Sequence, residues 1–100
     1  MKALLLSLLL TALSAPLAQA VERTARILAA ELTCPSCSYI VATAIKSVKG
    51  VRILEFTQGK QENTGIYTVA YDDELTSPQD IVTAILDYGY PARPLADNGS

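Results

Sequence analysis

Residues 24–50 read TARILAAELTCPSCSYIVATAIKSVKG, and two different periods meet inside that stretch. From Thr24 to Leu32 the residues alternate. Arg26, Leu28, Ala30 and Leu32 share one face, and Ala25, Ile27, Ala29 and Glu31 the other, which predicts a strand covered on one side. From Cys37 to Val48 the period lengthens. Ile40, Val41, Ala44, Ile45 and Val48 fall on one stripe of a helix. Pro35 and Ser36 lie where that helix begins, Lys46 and Lys49 lie near its end where cations suit the dipole, and Gly50 is placed to end it. The break between the two periods is Thr33-Cys34-Pro35-Ser36, so a Cys-x-x-Cys pair sits at a strand-to-helix corner.

Downstream, residues 51–57 (VRILEFT) read as a second strand with Leu54 and Phe56 on one face. Residues 58–65 are polar and glycine-bearing, which predicts a hairpin loop. Residues 66–71 (IYTVAY) read as a third strand, with Tyr67, Val69 and Tyr71 on one side. Ser77-Pro78-Gln79-Asp80 is a helix start: Ser77 to cap, Pro78 at the first helical position, Asp80 at the capping-box position. Ile81, Ala84, Ile85 and Tyr88 then repeat on one face, and Gly89 ends the helix. Tyr90 to Ala96 form a short last strand that Pro91 and Pro94 confine to an edge, and residues 97–100 a frayed tail. The order strand, helix, strand, strand, helix, strand predicts an α+β, ferredoxin-like βαββαβ sandwich, one antiparallel sheet with both helices on one face.

Upstream, residues 1–20 read as a signal peptide. Lys2 precedes an apolar run from Ala3 to Leu13, Pro16 breaks it, and Ala18-Gln19-Ala20 is an A-x-A cleavage site. The alternative, an uncleaved anchor, needs about 20 apolar residues, and this run is too short. Cleavage would leave a single domain, residues 21–100, with its core at about 24–95, periplasmic or secreted. It would remove one base and no acid, leaving seven bases against ten acids, a net charge of −3. Such a balance lacks the basic footprint of a nucleic-acid binder and the basic helix of a membrane-surface binder.

The chain has two cysteines and no histidine. A bridge between Cys34 and Cys37 closes so small a loop that it constrains the unfolded chain weakly, and cysteines this close are more often redox-active or metal-binding. At a helix start the free N–H groups and the dipole stabilise thiolates. Two thiolates suit a low-coordinate soft ion such as Cu(I) or Hg(II), whereas a closed zinc site wants four ligands. Without histidine no Ser-His-Asp arrangement can exist, and no glycine-rich phosphate loop is present, so an enzyme is not expected. The same pair would also serve an exported thiol–disulfide oxidoreductase, and an interaction module with inert cysteines is a further reading.

Four groups of residues give the chain its resemblance to a known family: Leu32-Thr33-Cys34-Pro35-Ser36-Cys37; Ala44-Ile45 through Val48-Lys49-Gly50-Val51; Val69-Ala70-Tyr71-Asp72-Asp73; and Tyr88-Gly89-Tyr90-Pro91. With them the chain resembles the heavy-metal-associated domain family over about residues 24–95. The leader and the Gly-Tyr-Pro ending place it nearest the exported, mercury-binding members. The resemblance implies a monomeric carrier that holds Hg(II) or Cu(I) on Cys34 and Cys37 and passes it to a membrane metal transporter or another metal-accepting protein. It implies that Leu32, in place of the family's methionine, packs beneath the metal loop, a near volume-conserving exchange. Thr33 either hydrogen-bonds within that loop or is an ordinary turn residue. Tyr90 either shields the site or packs on the sheet. Glu31 stands where the family has glycine, which restricts the loop's backbone and places a negative charge nearby, and Pro35 stiffens the loop. Tyr67 and Tyr71 read as core residues, and Lys46 and Lys49 as a solvated helix end.

Overall fold

The computed structural model describes residues 22–95, so the leader, its cleavage site and the tail lie outside the described residues. The chain runs β1 (Glu22–Ala29), α1 (Cys37–Lys46), β2 (Val51–Gln58), β3 (Gly65–Asp72), α2 (Pro78–Asp87) and β4 (Ala92–Leu95). The strands form one antiparallel sheet in the order β2-β3-β1-β4, the βαββαβ sandwich that the period changes predict. Ala25, Ile27 and Ala29 of β1 and Tyr67, Val69 and Tyr71 of β3 point to one face. There they bury Val41, Ala44 and Ile45 of α1 and Ile81, Val82 and Ile85 of α2 in a single core. Burying an aliphatic side chain of this kind stabilises the fold by about 1.5–3 kcal/mol.

The differences from the sequence reading have local causes. β1 stops at Ala29 rather than Leu32: the Ala30 N–H still follows the β1–β4 register to the Pro91 carbonyl (2.9 Å), but Glu31 then turns the chain at φ 62°. α1 ends at Lys46, where the Ser47 hydroxyl donates to the Ala44 carbonyl (2.6 Å), so Gly50 (φ +84°) shapes the turn into β2 and does not cap the helix. In β2 the register slips between Ile53 and Glu55. Leu54 is the extra residue of this bulge, and the slip moves Phe56 to the side shared by Val51 and Ile53. Leu54 and Phe56 therefore do not share a face. In α2 the inward residues are Ile81, Val82 and Ile85, and Tyr88 is exposed, because Tyr88 is already the helix cap.

That cap sets the position of Tyr90. The Gly89 N–H (φ +98°) donates to the Leu86 carbonyl at 2.9 Å and the Tyr90 N–H to the Ile85 carbonyl at 3.3 Å, the paired bonds of a Schellman turn. The β1–α1 corner, the β2–β3 hairpin and the α2–β4 turn consequently gather at one end of the sandwich. Backbone bonds tie them: Ala30 to Pro91, and the Leu32 N–H to the Asn63 carbonyl (2.9 Å).

Candidate metal centre

At that end the chain leaves Leu32, bends at Cys34 and enters α1 at Cys37. The bend is held by the Cys37 N–H donating to the Cys34 carbonyl (3.1 Å) and by the Cys34 N–H donating to the Cys37 sulfur (3.0 Å). The two Cα atoms are 5.1 Å apart and the sulfurs are joined as a disulfide. This is the two-electron oxidised form of the pair of thiolates that ligation would require. The two cysteines differ in access: Cys34 is exposed, whereas Cys37 is 4% exposed and packs with the first turn of α1. A partner from solution meets Cys34 first.

The helix start beneath the pair has no side-chain cap. Ser36 is the N-cap residue, its hydroxyl makes no capping bond, and no acid occupies the first turn. The Ser36 carbonyl accepts from the Tyr39 and Ile40 N–H groups at 3.1 and 3.0 Å. The positive end of the dipole thus faces two sulfurs and no carboxylate of its own helix, which favours thiolates. A shallow cavity of about 240 Å³ opens beside Cys34, walled by Leu32, Pro35, Ser38, Phe56, Gln58, Asn63 and Thr64. Among the described residues no group of three or more cysteine, aspartate and glutamate side chains is gathered to hold an ion.

The neighbours foreseen from sequence fall differently. Leu32 is half-buried against the core. Thr33 is exposed just ahead of the bend and takes no part in the loop's backbone hydrogen bonds. Tyr90 is half-buried and packs against the core. Glu31 takes the left-handed conformation, at φ 62°. Tyr67 and Tyr71 are core residues as expected, but no sequence pattern indicates where the Tyr67 hydroxyl goes. Tyr67 is 1% exposed, and its hydroxyl donates to the Ser38 carbonyl in the first turn of α1 at 2.6 Å. Burial, with a smaller contribution from Tyr90, pushes its pKa up to about 12, so it is a neutral donor across the physiological range. Its partner is 29 residues away, beyond the reach of any local pattern.

The chain matches no family model. Among solved structures it is similar to oxidised MerP from Ralstonia metallidurans, at 26% identity and a TM-score of 0.59, covering 76% of this chain and all of that one. It is similar to a copper-binding domain of HMA7, a P-type ATPase, at 26% identity and a TM-score of 0.58, covering 76% of this chain and 97% of that domain. The fold, with its cysteine pair at the first strand–helix corner, is that of the heavy-metal-associated domains. Sequence relatives narrow the class. The mercuric transport protein periplasmic component of an Alcaligenes species is 35% identical over 92% of this chain and 96% of its own length, and that of Acinetobacter calcoaceticus 34% identical over the same shares. The chain belongs to the family of periplasmic components of mercuric transport.

Proposed function

We propose that the reduced chain is a periplasmic carrier that holds one soft ion, Hg(II) in the first place and Cu(I) in the second, between the thiolates of Cys34 and Cys37. Mercury comes first because the family members are named for mercuric transport, and copper second because a structural neighbour is a copper-binding domain. The observation that carries the reading is the paired sulfurs on an uncapped helix start, one exposed and one buried. Binding exchanges two thiol protons for one ion, so it strengthens as pH rises toward the thiol pKa values. Exposure of Cys34 supports handover by ligand exchange: an acceptor's thiolate approaches at Cys34 while Cys37 still holds, and the buried sulfur leaves last. The acceptor would be a membrane metal transporter or another metal-accepting protein.

Native mass spectrometry of the reduced chain with Hg(II) and with Cu(I), under anaerobic conditions, tests this. One ion per chain is expected, lost in a Cys34→Ser, Cys37→Ser double variant that keeps its circular dichroism. Unchanged binding by that variant would overturn the assignment. Transfer of the oxidised chain's disulfide to a substrate protein, without ion binding by the reduced form, would put the oxidoreductase reading in its place.

A further inference from the structure

The Tyr67 hydroxyl makes a contact that core packing does not require. Phe56 and Tyr67 lie with ring centroids 4.8 Å apart and planes tilted by 54°, a favourable aromatic pair that needs no hydroxyl. The Phe56 ring reaches over Gly65 into the place a Cβ would fill, with the Leu32 Cδ1 atom 3.1 Å from the same point. Leu32 in turn is tied through its N–H to the Asn63 carbonyl. A continuous stack therefore runs from the metal loop at Leu32, through the glycine gap and Phe56, to the ring of Tyr67. From there the hydroxyl crosses to the Ser38 carbonyl, one residue past Cys37.

α1 needs such a fastening. It has no side-chain cap, and a ten-residue helix is marginal without outside support. Its first turn also carries the buried ligand. Two sulfurs can take one ion only if the spacing between Cys34 and Cys37 is already set, because ordering that turn at the moment of binding would subtract from affinity.

We infer that Tyr67 is a positioning residue for the metal site, its hydroxyl pinning the first turn of α1 through the Ser38 carbonyl so that Cys37 is held in place before the ion arrives. This rests on the carrier reading above. The sheet-side element thus supplies from below the order that α1 does not supply with a cap.

Tyr67→Phe keeps the ring on Phe56 and deletes only the bond to Ser38. Tyr71→Phe is its control: it removes a hydroxyl from the same face of the same strand, at the end opposite the loop, where Tyr71 pairs with Val51. Two readouts are taken on folded, reduced protein. The first is amide hydrogen exchange along α1. The second is Hg(II) affinity in competition with a small dithiol. Faster exchange confined to the first turn, and affinity lowered about fivefold, the worth of one net hydrogen bond, are expected for Tyr67→Phe alone. Unchanged exchange in that turn, or the same change in both variants, would overturn the positioning role. If the unmodified chain takes up no Hg(II), the carrier reading fails, and the exchange arm still decides whether Tyr67 pins the turn.

Discussion

The two helices of this domain begin in opposite ways. α2 uses its own side chains. Ser77 is extended (φ −146°, ψ 164°) and its hydroxyl accepts the Asp80 N–H at 3.3 Å, Pro78 fills the first turn, and Asp80 stands where the dipole favours a carboxylate. The Asp80 carboxylate is itself held by the Thr76 hydroxyl at 3.3 Å, in place of the backbone arm of a full capping box. α1 has none of this: no capping bond from Ser36, no proline inside the helix, no acid in the first turn. A sulfur accepts the nearby N–H instead, from Cys34 to Cys37 at 3.0 Å. A helix that caps itself is closed to anions. A helix that leaves its start to two sulfurs keeps its positive end for thiolates, and through them for a soft cation. The Tyr67 hydroxyl, bonded to the Ser38 carbonyl at 2.6 Å, ties the uncapped first turn of α1 to the sheet.

Three substitutions sharpen that contrast. Ser77→Ala should lower stability by about 1 kcal/mol, because it strips a capping bond that is made. Glu31→Gly should raise it by roughly 0.5–1 kcal/mol, since φ 62° strains a residue with a Cβ and costs glycine nothing sterically, while glycine's freer unfolded chain takes back part of the gain. Ser36→Ala should change it by less than about 0.5 kcal/mol, because no side-chain cap is lost. Chemical denaturation of all three beside the parent chain checks the order. If Ser36→Ala costs as much as Ser77→Ala, the two helix starts are alike and the contrast is gone.

What could be read from sequence was what local chemistry settles. Ser77-Pro78-Gln79-Asp80 announces its helix because each residue acts within one turn. The Cys-x-x-Cys was placed at a strand–helix corner because a period of two gives way to one of 3.6 on either side of it. Glu31 stands out as a restriction on the loop only through the family resemblance, which supplies glycine at that position; its left-handed φ comes from the structure. The misreadings lie where tertiary structure overrides pattern. The alternation of Leu54 with Phe56 is real in sequence and is cancelled by a bulge, which sets one extra residue of β2 against β3. Tyr88 continues the helical stripe on paper, but the Schellman turn has already ended the helix, and Val82 takes the inward place. The Tyr67–Ser38 bond joins β3 to α1 across the core and leaves no trace in either segment.

An ion held between Cys34 and Cys37 of one chain, on the helix start that carries no cap, has a coordination shell that X-ray absorption at the mercury edge reads in the reduced, Hg(II)-loaded chain, with the Cys34→Ser and Cys37→Ser single variants measured alongside. Two sulfur neighbours and no nitrogen or oxygen neighbour are predicted for the parent chain at every protein concentration, and one sulfur in each variant. A parent spectrum with nitrogen or oxygen ligands, or a sulfur count that depends on protein concentration because the ion bridges two chains, would contradict the account.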